Sequence, residues 1–115
     1  MKSPPYPDLL IACLCADWCG ACREYRPLFD ALALKFPQAR FVWVDVEDEA
    51  DLIEPIEVEN FPTILIAVGK QPRFFGTVLP HIETLERLIQ AKTAESTSPA
   101  SLEPDVIELV ARLQN

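Results

Sequence analysis

Hydrophobic residues occur along this chain as short continuous runs that alternate with spaced stripes. The run from Leu9 to Ala16 is almost unbroken, as expected of a central strand covered on both faces. From Gly20 to about Phe36 the pattern changes to a helical one. Leu28, Leu32 and Phe36 recur at four-residue steps, with Arg23, Glu24, Arg26, Asp30 and Lys35 in polar positions. Pro27 lies inside this helix and is expected to kink it, because it removes a backbone donor and crowds the preceding turn. Arg40 to Val46 reads as a second strand, Ala50 to Ile56 as a short helix and Thr63 to Val68 as a third strand. Gly69 to Pro72 is a turn into a fourth strand, Arg73 to Val78, antiparallel to the third. After Pro80, a helix from about His81 to Lys92 carries Ile82, Leu85, Leu88 and Ile89 on one face.

Two flanking pieces differ in character. Residues 1–8 are proline-rich and read as an irregular arm, while Thr93 to Pro104 is polar and reads as a linker. Beyond it, Asp105 to Leu113 is helical, and its stripe of Val106, Leu109, Val110 and Leu113 has to be buried against something. Strands alternating with helices imply an α/β class with parallel crossovers between the first three strands. The domain proper is expected over residues 9–92, with residues 105–115 as a C-terminal helix.

With 115 residues, half of them hydrophobic, the chain is sized for one ordinary core. Its formal net charge of -8 argues against nucleic acid or an anionic membrane as partner, since both require clustered Lys and Arg. Acidity is concentrated between Asp45 and Glu59, a segment of eight carboxylates without Lys or Arg, read as a solvated face that can also bias which substrates approach. No apolar stretch reaches the length of about 18 residues that a membrane span requires. Pro4, Pro5 and Pro7, followed by an apolar run too short for a signal core, are not expected to make a signal segment. Cytoplasmic residence and a monomeric state are the corresponding expectations.

All four cysteines, Cys13, Cys15, Cys19 and Cys22, fall within ten residues at the junction of the first strand and first helix. Cysteines three apart at a helix start lie about 5 to 6 Å apart, close enough for reversible disulfide formation. Cys19 would stand at the helix N-terminus, where unpaired N–H groups and the helix dipole favour a thiolate, and Cys22 one turn inward. Position therefore nominates Cys19 as nucleophile and Cys22 as resolving thiol. Two other readings stand beside this one. The four thiols of C-x-C-x3-C-x2-C could hold zinc, although a strand followed by a helix places four sulfurs poorly for a tetrahedron. Alternatively, the domain could bind a partner without catalysis.

Ala16-Asp17-Trp18-Cys19-Gly20-Ala21-Cys22, with Pro27 five residues on and Phe61-Pro62-Thr63 ahead of an apolar strand, resembles the thioredoxin family over roughly Leu9 to Ala91. That resemblance implies a thioredoxin-like four-stranded mixed sheet with helices on both faces, here lacking the usual first strand and helix and gaining a C-terminal helical extension. It implies thiol-disulfide exchange on protein substrates through Cys19 and Cys22, with no cofactor, no metal and an external electron donor such as a thioredoxin reductase. The Phe61-Pro62 bond is then expected to be cis, with Trp18, Gly20, Ala21, Phe61, Pro62 and Val78 forming the surface where an extended substrate docks. The chain departs from the family in several places. Cys13 stands where a buried Asp usually assists the resolving thiol, Trp43 stands at about the position of that Asp's lysine companion, and Cys15 replaces a tryptophan. Gly20-Ala21 stands in place of the common Gly-Pro. Cys13 and Cys15 are therefore candidate modulators, as is Asp17, a carboxylate near enough to serve in proton transfer. His81, the only histidine, is expected at a helix start without chemical duty.

Overall fold

The structure, a computed structural model, describes residues 9–37, 39–54, 56–69, 71–79, 81–94 and 104–114. The expected N-terminal arm, Pro80 and most of the linker lie outside the described residues. The chain runs β1 (Leu9–Cys15), α1 (Gly20–Ala33), β2 (Arg40–Asp45), α2 (Ala50–Ile53), β3 (Thr63–Val68), β4 (Gln71–Thr77), α3 (Ile82–Ala94) and α4 (Pro104–Gln114). The four strands form one sheet in the order β2-β1-β3-β4. Every residue of β1 is buried, as its continuous apolar run implies for a strand with neighbours on both sides.

β1 pairs parallel to β2 but antiparallel to β3, and β3 is antiparallel to β4. The expected crossover into a parallel third strand is therefore corrected. A parallel return must carry the chain back along the whole strand, and at about 1.5 Å per residue a four-residue α2 covers only about a third of that length. The chain instead enters β3 at the edge where β2 ended, so that Thr63 lies opposite Leu14.

Strand alternation divides the core in two. Leu9, Ile11, Cys13 and Cys15 of β1, with Ile64 and Ile66 of β3, face α1 and α3. Leu10, Ala12 and Leu14, with Leu65 and Ala67, face the opposite way, against Ile53 of α2 and Val106, Leu109, Val110 and Leu113 of α4. The C-terminal stripe is thus spent on this chain's own sheet. Arg112 fastens α4 to α2 by donating to the carbonyls of Leu52 (2.9 Å) and Glu54 (2.7 Å), and it also pairs with Glu108.

α1 runs through Pro27 to Ala33, so the proline does not end it. Its buried face is Cys22, Tyr25, Phe29 and Leu32. Of the expected stripe, Leu32 is buried and Phe36 packs on the core, but Leu28 is 44% exposed, because Cys22 at the first turn brings Tyr25 and Phe29 onto the sheet-facing side in its place. Gly69, at the β3–β4 turn, has a φ of 62°, the left-handed region that glycine enters without a Cβ penalty. Among the described residues, no helix is long and apolar enough to cross a membrane.

Candidate redox site

The site sits where β1 ends and α1 begins. Between them the chain makes a tight turn in which the Cys19 N–H donates to the Ala16 carbonyl at 3.0 Å. Cys19 is the N-cap of α1, in extended conformation and without a side-chain cap hydrogen bond. Cys22, one turn on, points into the core with Tyr25 and Phe29. Cys15 is the last residue of β1 on the face beneath that first turn, and Cys13 lies two residues behind it on the same face.

This geometry joins Cys15 to Cys22 in a disulfide with a Cα–Cα distance of 5.8 Å. Cys19 is a half-buried free thiol, and Cys13 is a fully buried one. The Cys19–Cys22 bond expected from the spacing is therefore not the one present here. The reason is directional: the Cys22 side chain aims at the sheet, where the Cys15 sulfur waits, while Cys19 stands at the outer lip. The Cys13 Sγ is 3.8 Å from the Cys15 Sγ. Burial pushes the Cys13 thiol far above the ordinary thiol range, so it stays neutral. Across the sheet Cys13 is paired in register with Trp43, whose ring packs on Phe29 and lies beneath the Arg26 guanidinium, 5.2 Å from the ring centroid.

Around Cys19 the structure gathers much of the surface expected to meet substrate. The Phe61-Pro62 bond is cis. Trp18, 61% exposed, meets Phe61 edge to face with centroids 5.6 Å apart. Cys19, Phe61 and Val78 pack on the same core cluster, and the Val78 N–H donates to the Pro62 carbonyl at 3.1 Å. Gly20 is exposed and Ala21 half-buried at the start of α1. Asp17 is exposed and borders a cavity of about 150 Å³ lined also by Ala16, Cys22, Arg23, Arg26 and Trp43. His81 is exposed just ahead of α3, where its carbonyl accepts from the Thr84 N–H. A larger depression of about 260 Å³, lined by Glu57, Glu59, Asn60, Thr63 and neighbours, includes none of the cysteines.

Two further residues shape the site, Asp45 and Glu47. The Asp45 carboxylate accepts from the backbone N–H groups of Asp17 (3.1 Å), Glu47 (2.9 Å) and Asp48 (3.0 Å), tying the active-site loop to the end of β2. The Asp48 N–H above all, with those of Glu47 and Asp17, holds the Asp45 carboxyl below the usual carboxylate range, against a smaller opposing effect of burial. The Trp18 indole N–H donates to Glu47 at 2.9 Å, fixing the exposed ring. Both acids lie in the run read from sequence as a solvated face. The signal available in the sequence was the position of Asp45 near the end of a predicted strand; that it lies level with Cys15 is visible only in the structure. Among the described residues, no group of three or more His, Cys, Asp or Glu could hold a metal ion.

A central sheet of this order, a Cys-x-x-Cys at a helix N-terminus and a cis-proline following Phe61, whose ring meets Trp18 beside Cys19, define a thioredoxin-type scaffold. Comparison with known proteins agrees. The thioredoxin family profile matches residues 6–91. An H-type thioredoxin of Picea mariana is 37% identical over 90 residues, which cover 77% of this chain and 70% of that protein. An H-type thioredoxin of Fagopyrum esculentum is 41% identical over 65 residues, 56% of either chain. The crystal structure of oxidised mitochondrial thioredoxin 3 from Saccharomyces cerevisiae superposes with a TM-score of 0.65 at 28% identity, covering 74% of this chain and 79% of that one. Thioredoxin NaTrxh from Nicotiana alata gives a TM-score of 0.66 at 26% identity, with 74% and 73% covered. The chain belongs to the thioredoxin family, and its match spans little more than half the length of the Fagopyrum esculentum relative.

Proposed function

We propose that this chain is a thiol-disulfide oxidoreductase acting on protein disulfides, with Cys19 as nucleophile and Cys22 as resolving thiol. One observation carries the reading: of the four cysteines, Cys19 alone has solvent exposure, and it sits at the N-terminus of α1 beside the Trp18–Phe61 rim. Membership of the thioredoxin family supports it.

In the reducing direction all four cysteines begin as thiols. The Cys19 thiolate attacks one sulfur of a substrate disulfide, forming a mixed disulfide and expelling the other substrate sulfur as a thiolate that takes up a proton. The Cys22 thiolate then attacks the Cys19 sulfur. The second substrate thiolate leaves, and the enzyme holds the two-electron oxidised Cys19–Cys22 pair. An external dithiol donor, of the kind a thioredoxin reductase supplies, returns the two electrons. Trp18, Phe61 and the backbone beside Pro62 hold the substrate as an added strand, with Gly20, Ala21 and Val78 completing the contact. Clustering of every cysteine at this site, with none left to staple distant parts of the fold, supports a reducing, cytoplasmic setting, and we assign a monomer.

Turbidimetric reduction of insulin by dithiothreitol tests the reading. The chain should accelerate the reaction and Cys19→Ser should abolish the acceleration, whereas Cys22→Ser should accumulate covalent mixed disulfides with substrate. A wild-type chain that binds a disulfide peptide without accelerating its reduction would instead be a binding module.

A further inference from the structure

We propose that Cys15 is a third redox cysteine, which takes over Cys22 after turnover and leaves the oxidised protein with a free, accessible Cys19 thiol. The inference rests on the oxidoreductase reading and specifies how its oxidised state is stored.

Cys22 has two partners within disulfide reach. Cys19 stands one helical turn away, a separation of about 5 to 6 Å, and Cys15 lies across the strand–helix junction with its Cα at 5.8 Å. That distance falls at the commonest value for protein disulfides, roughly 5.5 to 6 Å. In the structure the bond is to Cys15. The two pairings differ by one exchange that requires no outside oxidant or reductant. Cys15, giving up its proton as it attacks, bonds to the Cys22 sulfur of the Cys19–Cys22 disulfide, and Cys19 leaves as a thiolate. Cys15 is oxidised, Cys19 is reduced, and the proton lost from Cys15 is balanced by the one Cys19 takes up from solvent.

Burial gives the exchange its consequence. Cys15 is 0% exposed and Cys22 1%, so an external thiol cannot reach either sulfur. Cys13 also has its sulfur 3.8 Å from that of Cys15, but it is itself buried, so of the two free thiols only Cys19, packed against the same cluster, can carry the exchange backwards on behalf of a donor outside. Electrons from a donor must then pass through Cys19. While the buried disulfide persists, a substrate captured on Cys19 has no resolving thiol to release it. The oxidised protein acts as a monothiol, the reduced protein as a dithiol.

The sequence supplies a direct assay. Cleavage ahead of aspartate separates residues 8–16, which carry Cys13 and Cys15, from residues 17–29, which carry Cys19 and Cys22. Full-length protein oxidised with one equivalent of diamide, then blocked with N-ethylmaleimide in acidic denaturant, should yield these two fragments joined by a disulfide. The join should survive Cys13→Ala and disappear in Cys15→Ala. Without denaturant, oxidised wild type should take up a single N-ethylmaleimide on Cys19, and oxidised Cys15→Ala should take up at least about tenfold less, its Cys19 being held by Cys22. Separate fragments from a wild type that reduces insulin would overturn the inference and leave the oxidoreductase reading standing. Joined fragments from a wild type that does not reduce insulin would keep the pairing and remove that reading. A join that survives Cys15→Ala but is lost in Cys13→Ala would also overturn the assignment.

Discussion

Asp45 carries more of the site than its place in an acidic run suggests. Three backbone donors converge on its two oxygens, one of them from the loop that presents Trp18 and Cys19. An Asn there retains one acceptor and turns an NH2 against an N–H, so Asp45→Asn should lower the urea midpoint at neutral pH and slow insulin reduction by loosening the loop. Its pH signature has a definite sign. The folded pKa lies below the unfolded one, so this stabilisation is fully present above the ordinary carboxylate range and is lost as pH falls through the folded value. Urea unfolding of both proteins down an acid series should show their difference shrinking with pH, and a constant gap would mean that the Asp45 charge is not its source. Tyr25 offers the opposite case. Its hydroxyl is buried without a hydrogen-bond partner among the described residues, and burial first, then the neighbouring Cys13, raises its pKa. Stability from such a group is complete below the unfolded tyrosine value of about 10 and is lost as pH rises toward the folded one. Tyr25→Phe should leave stability at neutral pH unchanged or raise it by up to about 1 kcal/mol, and should blunt alkaline unfolding followed by circular dichroism. At this scale the sequence placed Cys19 and Cys22 one turn apart at a helix start, because a three-residue spacing is a local fact. It did not reveal Asp45 or the Cys15–Cys22 bond, since both depend on which residues of distant segments come level at the end of β1.

Among the elements, those built on strong local patterns emerged close to where the sequence put them. β3 occupies Thr63–Val68 as read, and the strand before Asp17 and the helix from Gly20 start where apolar continuity and the cysteine pair placed them. What sequence could not supply was direction. The reversal of β3 follows from the shortness of α2, and nothing in the apolar run of β3 encodes whether it runs up or down. In α1 the sequence placed Leu32 and Phe36 on the inner face but took Leu28 for Phe29, since the two are equally apolar and only contact with the sheet distinguishes them. α4 is the element whose role is most open to test. Leu109 and Val110 are 1% and 0% exposed against β1 and β3. Leu109→Ala should therefore cost about 2 to 5 kcal/mol in urea unfolding, the usual range for a core leucine. Ile107→Ala, at a site 40% exposed on the same helix, should cost far less. Equal effects would mean that α4 contributes helix propensity and not a packed face.

For the whole molecule the relevant quantity is charge. A formal charge of -8 is unevenly spread, and Glu47 of the acidic segment holds the Trp18 ring at the rim. A disulfide peptide flanked by lysines should accordingly be reduced with a higher kcat/KM than the same peptide flanked by glutamates. The gap should close as ionic strength rises past about 0.15 M, where the screening length is about 8 Å. A preference unaffected by salt would place discrimination in the apolar rim. The molecule is also organised in time. The sheet face formed by Leu10, Ala12 and Leu14 is translated well before the residues that cover it, Val106 to Leu113, which follow only after all four described strands have been made. At roughly 5 to 20 residues per second, a ribosome holds that face uncovered for several seconds. Closure of this core face therefore waits for α4 to be made, and for that interval the nascent chain has the exposed apolar surface that chaperones recognise.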